Sequence, residues 1–113
     1  MNTPWGRSQH QETIAEGIVS YSTASHGGIK LSPERQAKMP KPYLREDGWY
    51  EEDCDVAFVM VTFPECFDPK YLDGAVRSIK EYYPDEYTQV TGIPLEPSES
   101  YALRERQLYK ESK

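Results

Sequence analysis

One unbroken apolar run, Val56-Ala57-Phe58-Val59-Met60-Val61, closed by Thr62-Phe63, constrains this chain more than any other feature. No other segment is as continuous, so the interior has to be assembled around it. A chain of 113 residues has room for one modest core, because proteins of this size bury about two thirds of their unfolded surface. Leu, Ile, Val and Phe together supply only 20 residues, which approaches the composition of disordered chains. Nine Tyr and two Trp offset that shortage with large buriable rings. The expectation is one folded domain over residues 1–113 with a thin, Tyr-rich core.

Periodicity alone fits the apolar run to a buried strand or a buried helix. Its β-branched residues point to strand. The acidic residues in front of it and Pro64 behind it point to helix, and helix is the reading adopted. Upstream, Thr13–Ser22 is rich in β-formers and Ile29-Lys30-Leu31 alternates, with the turn-type segment Thr23–Gly28 between them. That order predicts a β-hairpin. Ser32-Pro33-Glu34 opens a short helix by capping, proline at the first position and an acidic first turn. Pro40 and Pro42 stop it.

Asp68-Pro69 repeats the cap-then-proline signal. Leu72, Ala75, Val76, Ile79, Tyr82 and Tyr83 then recur at helical spacing, which predicts an amphipathic helix ending at Pro84. Asp85–Val90 forms another short helical turn, and Ser98 is expected to cap a last, peripheral helix within residues 97–113. Residues 1–12 lack any period and read as a loosely attached arm with Trp5 as its anchor. The fold class expected is α+β: a small β-hairpin or three-stranded sheet packed by about four helices.

Four strings are distinctive: Thr3-Pro4-Trp5-Gly6, Tyr21-Ser22-Thr23-Ala24-Ser25-His26-Gly27-Gly28, Leu31-Ser32-Pro33-Glu34-Arg35, and Asp47-Gly48-Trp49-Tyr50-Glu51-Glu52-Asp53-Cys54-Asp55. Together they resemble an uncharacterised domain-of-unknown-function family of proteobacterial, phage and plasmid proteins. The resemblance covers about three quarters of the chain, up to the helix near residue 83. It implies the company of mobile elements, which carry small inhibitors of host defence, and it brings no catalytic residues to carry over. Val56 stands where some members of that family place a Trp.

Three constellations have chemical content. Ser25-His26-Gly27-Gly28 places an imidazole beside paired glycines, which can take positive φ and form an anion nest. The plainer alternative is a hairpin turn whose His26 caps a carbonyl. Cys54 would gain thiolate character from a helix start, but Glu51, Glu52, Asp53 and Asp55 raise its pKa through like charge. A His26–Cys54 nucleophilic pair is thus a weak candidate, and Cys54 reads as a small buried hydrophobe. For metal, His10, His26, Cys54 and Cys66 lack the close pairs of a zinc site. The acidic run also lacks the alternation of a calcium loop. No metal and no cofactor are expected.

The acidic run has a further reading. With Trp49 and Tyr50, residues Glu51, Glu52, Asp53 and Asp55 would set aromatic anchors in negative charge, a composition suited to a basic protein surface. The alternative is a solvated helix start with Trp49 packed inward. The net charge of −6 disfavours direct binding to a phosphate backbone. No segment has the length of a membrane span or a leader's apolar region, so a cytoplasmic protein with reduced cysteines is expected, in a bacterial host cell.

The function expected is that of a small, acidic, non-enzymatic interaction protein of a phage or other mobile element. It would bind and inhibit a basic host complex such as a CRISPR or restriction nuclease. The alternatives are a small enzyme or ligand-binding domain using the His26 turn with Glu51–Cys54, and an accessory domain of a larger partner. A pocket shared by the turn and residues 51–54 favours the enzyme; an imidazole turned to solvent disfavours it.

Overall fold

The computed structural model describes residues 2–111. Met1, Ser112 and Lys113, at the ends of the expected arm and tail, lie outside the described residues. The fold is α+β. Strands β1 (Asn2–Thr3) and β2 (Gly6–Arg7) form a small antiparallel ribbon. Strands β3 (His10–Ala15), β4 (Ile18–Ser22), β5 (Gly27–Leu31) and β6 (Trp49–Glu51) form a four-stranded antiparallel sheet in the order β3-β4-β5-β6.

That sheet has more strands than the expected hairpin or three-stranded sheet, for two reasons. Thr13–Ser22 is not one strand. Gly17, at φ +83°, turns the chain there, and a Cβ on it would lie 2.6 Å from Ser32 Oγ. The strand before this turn begins at His10, so residues 10–12 belong to the sheet rather than to the arm. The second reason is Trp49-Tyr50-Glu51, which is a strand and not the lead-in to a helix. It pairs Lys30 with Trp49, Ile29 with Tyr50 and Gly28 with Glu51. The turn then closes at Thr23, whose hydroxyl donates to His26 O and accepts from His26 N at 3.0 Å.

Helix α1 (Pro33–Gln36) starts as its sequence dictates, with Ser32 Oγ accepting from Arg35 N. The apolar run is helical: α2 spans Val56–Thr62 and buries Val56, Ala57, Phe58 and Val59. It lies between the sheet and α3 (Leu72–Tyr82), which contributes Ala75 and Ile79. Phe58 is fully buried, stacked on Tyr43 at 4.6 Å and edge-on to Tyr83 at 4.8 Å. Tyr43 and Tyr50 belong to the core and Tyr83 and Tyr87 pack against it, whereas Tyr71, Tyr82, Tyr101 and Tyr109 are exposed. Asp68 caps a single turn at Pro69–Tyr71 that leads into α3.

Helix α4 (Pro84–Thr91) ends at Gly92 in the left-handed region. Helix α5 (Tyr101–Glu111) is capped by Ser100 and not by Ser98, because Pro97–Glu99 forms its own turn first. Ser100 is completely buried, and its hydroxyl donates to Glu81 O at the end of α3. Helix α5 buries no residue of its own. Polar contacts fasten it instead: Tyr101 N to Glu81 Oε1, Arg104 to Glu81, and a two-pronged Arg106–Asp85 pair.

Candidate functional site

His26, Trp49, Tyr50 and Glu51–Asp55 gather around β6 and divide into two groups with different tasks, whereas His10 lies in β3 at the opposite edge of the sheet and Cys66 in the turn after α2. Tyr50 is completely buried. Its hydroxyl donates to Gln36 Oε1 at 2.6 Å and accepts from Arg45 N at 3.0 Å, while Gln36 Nε2 donates back to Arg45 O at 2.7 Å. This closed polar triangle ties the loop 37–48 to the sheet. Tyr50 therefore belongs to the core and is no surface anchor. Strand alternation is the cause: with Trp49 and Glu51 on one face, Tyr50 has to point to the other.

Asp55 is also structural. Its Oδ1 accepts from Arg45 Nη2 at 2.8 Å, with only 16% of its side chain exposed. The Arg45 guanidinium lies over the rings of Phe58 and Tyr83, at 5.2 and 5.9 Å. The hydrogen bond to Asp55 is the main reason the Arg45 pKa is raised. An ion pair placed on aromatic faces is a packing element, and Asp55 leaves the docking set.

Cys54 is half-buried, and its Sγ donates to Glu51 Oε2 at 4.0 Å, with the Tyr83 hydroxyl also acting on it. Burial, more than the charges of Asp55 and Glu51, pushes its thiol up. Tyr83 is pushed up to about 12, by burial first and then by its hydrogen bond with Cys54. A thiol whose pKa is raised is a poor nucleophile at neutral pH, and this one faces a tyrosine. The His26–Cys54 pair has no support.

His26 instead meets two carboxylates. Ligand atoms of His26, Glu51 and Asp53 lie within 4.8 Å of one another. His26 and Asp53 are exposed and Glu51 is half-buried. The register of β5 against β6 brings the His26 turn to Glu51 and Asp53, the juxtaposition on which the alternative reading of the sequence depends. These three are the residues of this region that could hold a divalent cation.

The paired glycines serve a purpose other than an anion nest. Both lie in β5, and neither has positive φ. A Cβ on Gly28 would run into the Trp5 indole and the Tyr50 carbonyl, and one on Gly27 would come within 2.9 Å of Glu52 Oε2. The missing side chains seat the protein's own Trp5 and Glu52. Trp5 in turn meets Trp49 edge-on at 5.6 Å, and Trp49 packs against Tyr21 at 5.4 Å. Lys30 Nζ lies 5.1 Å from the Trp49 ring and donates to Asp47 O. Trp49 is half-buried in this cluster.

The remaining surface is compact. Glu51, Glu52 and Asp53 follow one another at the end of an edge strand. None of the three forms an ion pair among the described residues, whereas Arg45, Arg104 and Arg106 are each matched to a carboxylate elsewhere. The sequence missed the partners that organise this region, Arg45 and Tyr83, because they reach it through tertiary packing with no local signal. Trp5 was legible as an anchor; its seat was not.

A family model described as "Domain of unknown function (DUF7007)" matches residues 1–113, and the chain belongs to that family. No curated protein and no solved structure matches the chain. No helix among the described residues is long and apolar enough to cross a membrane.

Proposed function

We propose that this chain is a non-enzymatic interaction protein of a phage or other mobile element that docks its acidic edge onto a basic host protein or nucleoprotein complex and inhibits it. A defence nuclease, of the CRISPR or restriction kind, is the partner class that suits this chemistry. The observation that carries the reading is the run Glu51-Glu52-Asp53: consecutive carboxylates at the end of an edge strand and in the turn that follows, without an ion-pair partner among the described residues. Unmatched charge of one sign steers association with a surface of the other sign. Trp49 adds a partly exposed ring beside it. The mobile-element setting and the cytoplasmic location rest on the sequence reading alone.

The test is retrieval of partners from a bacterial lysate with the tagged protein, beside a variant carrying Glu51→Lys, Glu52→Lys and Asp53→Lys. A specific partner that is lost on charge reversal and released by salt supports docking. A partner retained by the reversed variant overturns it.

One observation favours a second reading, a ligand-binding domain centred on His26. An imidazole and two carboxylates suit zinc or manganese, and His26, Glu51 and Asp53 converge. Calorimetric titration with each ion, repeated on His26→Ala, separates the two. Stoichiometric binding lost in the variant supports this second reading, and no heat in either protein removes it.

A further inference from the structure

Beside the acidic edge, between the inner face of the sheet and α2, runs a groove of about 430 Å³. Ile14, Ile29, Met60 and Phe67 give it apolar walls, and Ser20 adds a hydroxyl. Its charged lining residues are all acidic: Glu12, Glu52 and Asp68. Asp68 has a loose neighbour in Lys70 at 3.9 Å, both side chains being more than half exposed. Glu12 and Glu52 have no ion-pair partner among the described residues. Glu52, the residue after β6, lies on the Tyr50 side of the sheet with the groove, whereas Glu51 lies on the Trp49 side, so the groove meets the docking run at Glu52 alone.

An apolar slot with acidic residues along it discriminates sharply. A purely apolar occupant would strip water from the carboxylates and give nothing back. An anion would be repelled. A lysine or arginine carries a long aliphatic stem that packs on apolar walls while its head stays with the carboxylates. An arginine head adds planar, two-pronged pairing with a carboxylate. A lone basic side chain leaves much of the slot empty, and interspersed apolar residues would fill it.

We infer that this groove receives a basic, amphipathic segment of the partner protein, with apolar side chains on Ile14, Ile29, Met60 and Phe67 and cationic heads on Glu12 and Glu52. The inference rests on the acidic-edge reading above and specifies where the partner's chain enters. A Cβ at position 27 would meet the Tyr21 carbonyl and the Glu52 carboxylate, each at 2.9 Å.

The experiment uses the whole chain at low salt with two labelled probes, a short peptide alternating arginine and leucine and an oligolysine of equal charge. Binding is read by fluorescence anisotropy and by the Met60 methyl signal in NMR. The alternating peptide is expected to bind about tenfold or more tightly than oligolysine, a difference of about 1.4 kcal/mol, and to shift the Met60 methyl. Met60→Trp, which fills the groove, is expected to abolish that preference and leave oligolysine binding unchanged. Glu12→Gln, which removes a groove charge outside the run Glu51–Asp53, is expected to weaken the alternating peptide more than oligolysine, and it serves if Met60→Trp fails to fold. Equal binding of the two probes, with the Met60 methyl unmoved, overturns the groove while the acidic edge survives. Failure of both probes to bind the native chain overturns the edge reading and the groove together.

Discussion

The indole of Trp5 rests on the backbone of Gly28, in the space that any other residue's Cβ would fill. This one contact joins the N-terminal ribbon to the centre of the sheet and places Trp5 edge-on to Trp49. Gly28→Ala therefore has to expel the ring and also crowd the Tyr50 carbonyl, which belongs to backbone and yields little. Overpacking of this kind costs about 1–3 kcal/mol. The expected outcome is a lower urea midpoint and a red-shifted tryptophan emission. An unchanged midpoint and spectrum would contradict the seating of Trp5.

Tyr50→Phe tests the polar triangle with Gln36 and Arg45. The phenyl ring keeps the packing, but Gln36 Oε1 loses its donor and Arg45 N its acceptor in a partly buried site. A polar group left without its partner costs about 1–3 kcal/mol. The loss should appear in equilibrium unfolding, and hydrogen exchange at the Arg45 amide should accelerate. Retained stability would mean that water replaces the hydroxyl.

Alkali should act through Tyr83. Its folded pKa is pushed up to about 12 from the ordinary 10.0, burial being the largest cause. A group raised in the folded state contributes stability that is fully present below the unfolded value and is lost as pH rises through the folded one. The window is thus from about pH 10 to about pH 12. Tyr43 and Tyr50 are shifted in the same direction, again mainly by burial. Absorbance titration should show exposed tyrosines ionising first and a late, cooperative phase coinciding with unfolding. Tyr83→Phe should reduce the part of the alkaline loss that lies in this window, and a variant with an unaltered profile would remove Tyr83 as its source.

The helical half of this fold was legible because its signals are local. Asp68-Pro69, the spacing of Ala75 and Ile79, and Pro84 all act within a turn or two of themselves, and the structure follows them. The sheet was read less fully. A strand of three residues such as Trp49–Glu51 has almost no periodicity, and its acidic neighbours imitate the start of a helix. Thr13–Ser22 was read as one β-rich run, and Gly17 within it is the turn that makes two strands. At the site, Glu51, Glu52 and Asp53 were readable as an acidic surface from composition alone. Tyr50 and Asp55 were misassigned because their direction depends on pleat and on Arg45, ten positions before Asp55. The meeting of His26 with Glu51 and Asp53 depends on register, which a single sequence states only indirectly.

Helix α5 provides the last test, because it is held by polar contacts more than by burial. Arg106 donates to both oxygens of Asp85, at 3.0 and 2.8 Å, and the hydrogen bond is the main cause of the lowered Asp85 pKa. A lowered carboxylate contributes stability that is present above its unfolded value and lost as pH falls through the folded one. The contribution should therefore be constant above the ordinary value of 3.8 and fade below it. Both side chains are about half exposed, so solvent screening limits the pair to about 0.2–1 kcal/mol. Many other carboxylates titrate in the same range, and the raw acid curve of the protein would hide so small a term. The difference between the native chain and Arg106→Ala isolates it, since the other groups cancel. That difference should be near its full value at neutral pH and approach zero in strong acid, with fraying of α5 visible by circular dichroism in the variant. A difference that persists undiminished once Asp85 is protonated would mean that Arg106 holds the helix by its aliphatic stem and not by its charge.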